Sequence, residues 1–267
     1  MGIAESVLSP AVGLNPSHDR FVERKKCFVS AAALQYVTAT METKIFSWLG
    51  REFVEISGEA QAGASVESAT TELFGRFEAA LKTNDLSLEN TVRIRVFGRD
   101  RQARTDATLA RSKILSGSGR AASSSFISQE WFDSPGSGGL ELLALRPLNA
   151  AAQRKPVDFE PARNYLCYLE YDGLLFFSGF TSEAATLEQQ VKDVLGTLDN
   201  AFARANTDWA KVKKLSLLLQ RGSDIDAAKQ ALAAANRLSV PDIEFTFVDG
   251  FAGGKYLVEI EATALCP

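Results

Sequence analysis

The sequence predicts an α+β protein built from two tandem copies of one small domain, each a mostly antiparallel sheet backed by two helices. An apolar strand ends in a Ser-Gly pair twice, at Ser57 and at Ser178, which lie 121 positions apart. A strand with a central glutamate closes each half, and matching Glu141 to Glu259 gives an offset of 118. The drift of three residues needs only short loop deletions, which surface connections tolerate.

In the first half, strands are predicted at 26–29, 34–40 and 52–57. A helix begins near Val66, because its apolar residues recur three and four positions apart and form one stripe. A strand at 91–97, a shorter helix that opens near Thr105 and the closing strand at 140–144 complete this copy.

The second half repeats these elements. An apolar strand at 174–179 precedes a helix that begins near Leu187, and a strand follows at 212–219. A shorter helix opens near Asp224, whose carboxylate is a suitable N-cap for the first turn. The closing strand lies at 258–262.

These patterns divide the chain into a leader at 1–25, a first domain at 26–147, a linker at 148–163 and a second domain at 164–267. Prolines 147, 156 and 161 and the absence of periodicity indicate the linker. The stretch 116–125 is rich in Ser and Gly and is interpreted as a loop, with an array of hydroxyls facing a ligand as the alternative.

Composition is typical of a soluble globular protein, with 46% hydrophobic and 23% charged residues. The formal net charge of −4 argues against a nucleic-acid partner. Five arginines fall between positions 93 and 104. Because Arg93 and Arg95 alternate with valine and isoleucine, they are interpreted as the solvent face of a strand.

Cofactor-dependent chemistry has little support in the sequence. Cys27, Cys167 and Cys266 lack metal-ligand spacing, and an odd number of cysteines is typical of reduced thiols in the cytoplasm. The only histidine is His18, in the leader, so zinc sites and His-dependent nucleophiles lose their usual residue. No secretory signal or apolar run of about 20 residues is visible, which predicts a cytoplasmic protein without a membrane partner.

The order of strand, Ser-Gly, long helix, strand, short helix and the closing Val-Glu-Ile-Glu-Ala at 258–262 resembles the RidA/YjgF family of enamine and imine deaminases, also described as endoribonuclease L-PSP type. The resemblance covers about 26–147 and 164–267. It implies a chorismate-mutase-like fold, assembly as a homotrimer, and ligand clefts between neighbouring domains. It also implies cofactor-free hydrolysis of a small imine or enamine to a ketone and ammonia.

Matched to the family motif, Glu259 and Glu141 are the candidate catalytic residues that position or activate water. Ser178 and Gly179 are the candidate substrate contacts beside them. Each glutamate also fits the solvent face of a strand, because its neighbours alternate between apolar and polar.

The family's carboxylate-binding arginine is missing, because Ser123 and Ile243 stand in its place. Arg120 and Arg237 lie close in sequence and are the candidate replacements, although Arg237 also suits the carboxyl end of the short helix.

The family's asparagine on the short helix is replaced by Asp106 in the first copy and by Lys229 in the second.

Three functions remain open at this stage. The first is a RidA-like hydrolase or deaminase that acts on a small metabolite at an inter-domain cleft. The second is a non-catalytic ligand-binding or assembly protein that has lost this chemistry. The third is a chorismatase-like enzyme, since such proteins resemble fused RidA-type domains.

Overall fold

The computed structural model describes residues 41–267, which form two β-sheets, each backed by two helices. Both sheets belong to the same structural unit. The leader, with His18, and Cys27 lie outside the described residues, as do the strands predicted at 26–29 and 34–40.

The first copy contains five strands and two helices. They are β1 (Met41–Trp48), β2 (Arg51–Glu59), α1 (Val66–Lys82), β3 (Thr91–Gly98), α2 (Arg101–Ile114), β4 (Ala122–Ile127) and β5 (Gly138–Arg146). Helix α1 starts where the sequence predicts, because the Ser65 hydroxyl caps it by accepting from the Ser68 amide at 3.2 Å.

The second copy repeats this set and adds one short strand at its start. Its elements are β6 (Lys155–Asp158), β7 (Leu166–Tyr171), β8 (Leu174–Thr181), α3 (Leu187–Arg204), β9 (Val212–Gln220), α4 (Ile225–Ala234), β10 (Asp242–Val248) and β11 (Val258–Leu265). Asp224 caps α4 as predicted, its carboxylate accepting from the Asp226 amide at 2.9 Å.

The strand order confirms the predicted repetition. The first sheet runs β1-β2-β5-β3-β4, and the second runs β7-β8-β11-β9-β10 with β6 added beside β7. In each sheet the last pair in this order, β3 with β4 and β9 with β10, is parallel, while the other pairs are antiparallel. The two halves therefore share one topology as well as one sequence pattern.

Several element predictions are wrong. Strand β1 is not among the predicted strands, because it is an edge strand whose residues are mostly exposed and carry no clear alternation. Helix α2 begins at Arg101 rather than near Thr105, since Asp100 caps it by accepting from the Ala103 amide at 2.8 Å. An arginine-rich first turn gives no apolar signal for this start.

Two segments interpreted as irregular contain strands. The serines at 123–125 lie in β4, which pairs in parallel with β3 from Arg93↔Ala122 to Gly98↔Ile127. Strand β6 lies inside the expected linker and pairs with β7. Pairing with a neighbouring strand outweighs the weak strand propensity of serine and proline.

Each helix pair covers one face of its sheet. In the first copy, α1 packs a stripe of leucine and phenylalanine on the sheet; the fully buried members of this core include Leu73, Phe74, Phe77, Val54, Ile56, Ile94, Leu140 and Leu142. In the second copy the corresponding core includes Val191, Val194, Leu198, Phe202, Phe177, Leu215, Leu217 and Ile260. Because the helices cover one face of each sheet, the other face of each sheet is left free of helices among the residues that the structure describes.

The opposite faces of the two sheets pack against each other. One apolar cluster joins Phe53 and Leu145 of the first copy to Leu169 and Phe176 of the second. Another joins Phe97 and Phe126 to Leu218 and Phe251. The two sheets thus enclose an internal layer, which has polar residues as well as these apolar ones.

Arg93 and Arg95 lie in this internal layer and not on a solvent face. Arg93 is 7% exposed and donates to the carbonyls of Phe177 at 3.1 Å and Ala262 at 2.8 Å, both in the second copy. The prediction of a solvent face is wrong because an alternating strand pattern does not distinguish water from the polar face of another sheet. Among residues 41–267, no helix has the length and apolar character needed to cross a membrane.

Candidate functional site

The two copies meet where the free edge of β4 lies against β8. The Ser123 amide donates to the Ser178 hydroxyl at 3.0 Å, and both serines are buried. Two predicted site residues from different copies are therefore in direct contact. We call this contact region between β4, α2, β8 and β11 the seam.

Glu259 reaches the seam from β11. Its side-chain carboxyl fills the space beside Gly179 that a side chain at position 179 would need. With Glu259 in this position only a glycine fits at 179, and Glu259 is 7% exposed. The structure thus brings together Glu259, Gly179, Ser178 and Ser123.

Glu259 and Glu261 have opposite pKa shifts. Burial raises the pKa of Glu259 to about 8, with the Ser124 hydroxyl opposing this shift and the charge of Glu261 reinforcing it. Burial also acts on Glu261, but Arg95 and Arg93 outweigh it and lower the pKa of Glu261 to about 2. At neutral pH, Glu259 therefore carries a proton while Glu261 is ionised, and such a pair suits acid–base chemistry.

Glu261 is the centre of a buried ionic network between the sheets. Arg95 donates to Glu261 at 2.7 Å and to Glu141 at 2.8 Å, and Arg93 lies 3.4 Å from Glu261. The candidate Glu141 thus forms an ion pair with Arg95 and is not an isolated residue on a solvent-exposed strand face. Its geometry gives it a role in holding Arg95.

The strand register also corrects the match between the two copies. Arg95 pairs with Glu141 across β3 and β5, and the equivalent Ser216 pairs with Glu261 across β9 and β11. Glu141 therefore corresponds to Glu261.

By the same register, Phe97 pairs with Gly139 and the equivalent Leu218 pairs with Glu259. The first-copy counterpart of Glu259 is therefore Gly139. The sequence match was two residues off, and only the second copy has a glutamate at this place.

The other predicted contacts lie elsewhere. Arg120 makes a bidentate pair with Asp158, at 2.8 and 2.9 Å. Arg237 stacks over Trp209, with 4.2 Å between the guanidinium carbon and the ring centre, and lies 3.6 Å from Asp199. Neither guanidinium has a hydrogen bond or ion pair with the seam residues among the contacts of the described chain.

The two predicted positions on the short helices make local contacts. Asp106 accepts from Gln102 at 2.8 Å, one turn away on α2. Lys229 lies 3.9 Å from Asp226 and 5.7 Å from the ring centre of Phe245.

Two arginines that the sequence prediction missed reach the seam from α2. Arg104 donates to the Ser125 hydroxyl at 2.8 Å, and Arg111 donates to the Ser123 hydroxyl at 3.1 Å. They lie seven residues apart, which places them on the same helix face. The available signal was this spacing, together with the alanines 103, 107 and 110 that bring the same face close to the sheet.

Within the described range, no group of three or more His, Cys, Asp or Glu side chains is arranged to hold a metal ion. The polar chemistry of the seam is carried by carboxyl, hydroxyl and guanidinium groups.

No protein-family model matches the sequence, and no curated protein matches it. Solved structures do match. A chorismatase structure aligns over 83% of this chain and 79% of its own, with a TM-score of 0.57 at 17% identity.

Shorter proteins also align. A YjgF-family protein from Mycobacterium tuberculosis covers 42% of this chain and 99% of its own, with 24% identity and a TM-score of 0.39. A protein from Entamoeba histolytica described as a putative endoribonuclease L-PSP covers the same shares, with 22% identity and a TM-score of 0.39. The chorismatase alignment covers more of this chain than one copy contains, so it includes parts of both copies. The chain therefore has the tandem α+β fold that its sequence predicts, and it shares this fold with the chorismatase.

Proposed function

We propose that this protein is a cofactor-independent RidA-like hydrolase that deaminates a small imine or enamine at the seam between its two copies. The observation that carries the proposal is Glu259, a buried carboxyl that is protonated at neutral pH and lies against Gly179. A protonated acid beside hydroxyls of the opposite copy is the group that this hydrolysis requires.

The chemistry needs one acid–base residue and one water. The Glu259 carboxyl donates its proton to the imine nitrogen, or to the β-carbon of an enamine, and the substrate becomes an iminium ion. Water then adds to the iminium carbon, and the Glu259 carboxylate takes the proton that this water loses. The Glu259 carboxyl then gives a proton to the amino group of the carbinolamine. Ammonia leaves as the carbonyl forms, and the carboxylate takes up the hydroxyl proton, so imine and water yield ketone and ammonia.

The polar groups around Glu259 have supporting roles in this proposal. The Ser178 hydroxyl accepts from the Ser123 amide and ties the two sides of the seam together. Glu261 stays ionised and keeps a negative charge near Glu259, which favours its protonated form. Ser123 and Ile243 stand where the family resemblance places an arginine, so the substrate's charge must be met by other residues.

The test is ammonia and ketone release from imino acids generated in situ by an amino-acid oxidase. Purified wild-type chain is expected to accelerate hydrolysis, and Glu259→Gln is expected to lose activity by about 10²–10⁴-fold. Glu188→Gln, an exposed carboxylate change at the start of α3, is the matched control. Equal turnover by wild type and Glu259→Gln would show that Glu259 is not the acid.

A second candidate is hydrolysis of an enol ether such as chorismate. It is favoured by the fold shared with the chorismatase over both copies. The same acid would deliver its proton to the electron-rich carbon of the enol ether, and water would then add to the oxocarbenium ion. Release of a keto acid from chorismate, with no response to imino acids, would select this candidate. Ligand binding without turnover of either substrate class would select the non-catalytic alternative.

We also propose a homo-oligomer, with a trimer as the expected state. Strand β10 holds in the second sheet the place that β4 holds in the first. At the edge of β4 the Ser123 amide donates to Ser178 in β8 of the same chain, whereas the second sheet ends at β10 among the described residues. An uncovered strand edge of this kind favours contact with another chain.

A further inference from the structure

Arg111 is a buried cation that has no carboxylate partner among residues 41–267. It is 8% exposed, and the only hydrogen bond of its guanidinium within this range is the one to the Ser123 hydroxyl at 3.1 Å. Its Nε has no hydrogen-bond partner there either. Burial lowers the pKa of Arg111 to about 10, so the group remains charged at neutral pH.

The two buried arginines of the internal layer are matched with acids. Arg93 and Arg95 both face Glu261, and Arg95 also binds Glu141. Leaving a buried charge unpaired is costly, and a sequence that needed only packing would place an apolar side chain there. Arg111 thus has the properties expected of a residue that binds an anionic ligand.

Arg104 is the second such cation, on the same face of α2. It donates to the Ser125 hydroxyl at 2.8 Å, and it forms no ion pair within 4.0 Å among residues 41–267. Its Nε is buried without a hydrogen-bond partner. Burial and the nearby Arg101 lower the pKa of Arg104, and the charge of Glu259, when that carboxyl is ionised, opposes them, so the two side chains interact electrostatically.

The two serines set the spacing of the two cations. Ser123 and Ser125 are alternate residues of β4, so their side chains leave the same strand face about 7 Å apart. Arg104 donates to the hydroxyls of Ser125 and Thr105, and Arg111 donates to that of Ser123, so the two guanidinium groups lie along the same strand. Arg104 is partly buried, whereas Arg111 is buried.

We propose that Arg104 and Arg111, with the hydroxyls of Ser125 and Ser123, form two adjacent carboxylate-binding subsites, and that the ligand of the seam is a small dicarboxylic acid. This inference rests on the proposed function, because it places the ligand of that function beside Glu259. A guanidinium fork matches a carboxylate with two parallel hydrogen bonds, and each serine supplies a further donor. Arg104 and Arg111 of α2 would then supply the positive charge that is missing from β4, where Ser123 stands in the place of the family's arginine.

The test is calorimetric titration of the full chain with acetate, succinate, glutarate and adipate, with glutaramide as the uncharged probe. At least one dicarboxylate is expected to bind 10-fold or more tightly than acetate, and glutaramide is expected not to bind. Arg111→Met and Arg104→Met are each expected to weaken that binding 10-fold or more. Lys113→Met, an exposed cation on the same helix that pairs with Glu67, is the control and is expected to bind as wild type.

Thermal unfolding separates binding from folding. A purely structural Arg111 would lower the Tm when removed, whereas an unpaired buried cation predicts a Tm of Arg111→Met equal to or above that of wild type. Equal affinity for mono- and dicarboxylates, no affinity for any of them, or unchanged affinity in both variants would overturn the inference. Glu259→Gln, measured in the same titration, distinguishes the two proposals, because it is expected to bind dicarboxylate while losing turnover.

Discussion

The carboxyl group of Glu259 occupies the volume that a side chain on Gly179 would take. Glu259 in this position and a side chain at position 179 of the neighbouring strand therefore cannot occur together. Gly179 is extended and has no need of glycine for its backbone conformation. Its small size is required by the acid next to it. The glycine of the Ser-Gly pair is therefore part of the machinery that buries Glu259.

Gly179→Ala is expected to displace the Glu259 side chain, because the added methyl group overlaps the carboxyl. Activity should fall at least 10-fold, and the free energy of unfolding should fall by about 1–3 kcal/mol. Imino-acid turnover and urea unfolding measure the two effects. Gly196→Ala, in α3 with open space around it, is the control and should leave both unchanged or slightly raise stability.

The pH dependence of stability should carry the signature of Glu259. Its folded pKa of about 8 lies above its ordinary value of 4.5, so the group contributes no penalty below pH 4.5, where both states are protonated. As pH rises from 4.5 to 8, only the unfolded state ionises and stability is lost, by on the order of 5 kcal/mol.

The measurement is the difference between the urea stability curves of wild type and Glu259→Gln from pH 4 to 9. The glutamine variant is expected to lack this decline. Parallel curves would contradict a raised pKa. In the same window, wild-type kcat/KM is expected to fall above about pH 8 as the acid ionises.

Glu261→Gln is expected to destabilise the protein by about 3–5 kcal/mol, because it leaves Arg93 and Arg95 buried with less compensating charge. Since the pKa of Glu261 is lowered to about 2, its stabilisation is present above pH 4.5 and is lost as pH falls toward 2. Denaturant titration at pH 7 and pH 3 measures both. Glu78→Gln, which breaks a surface pair with Lys82, should cost less than about 0.5 kcal/mol at either pH.

Ser178→Ala is expected to cost about 1–3 kcal/mol, because the buried Ser123 amide loses its acceptor. Ser182→Ala is the comparison, since that serine is more exposed and its hydroxyl binds an exposed aspartate, Asp193. An equal, small effect of both changes would contradict the role of Ser178 as the tie between the copies.

Light scattering at working concentration is expected to give three times the mass of one chain. The physical reason is the edge of β10, which no further strand pairs with among residues 41–267. A Pro substitution at Thr246, in the middle of that strand, should lower the oligomeric state if this edge forms the contact. A monomeric wild type would rule out the trimer.

The repeated topology could be read from the sequence because helix and strand periodicity report which face is buried. The stripe of α1 and the alternation of β11 predicted their elements directly. The same signals failed at Arg93 and Arg95, because a second sheet and water both favour polar side chains at alternate positions.

The site was only partly predictable. Glu259, Ser178 and Gly179 followed from the family resemblance, and the structure brings them together. Glu141 was matched to the wrong partner, because a shift of two residues keeps the same strand face and leaves no trace in the pattern. Arg104 and Arg111 gave no motif, since their meaning depends on serines of a strand that sequence propensity assigned to a loop.

Gly139 of the first copy holds the strand position that Glu259 holds in the second copy, so the two halves of the protein are not equivalent. Under the proposed function, one half supplies the cationic helix and the other supplies the proton donor, so neither half expressed by itself would hold a complete set. Joining the halves covalently fixes their ratio at one to one. A split chain would regain its chemistry only where the two fragments find each other again.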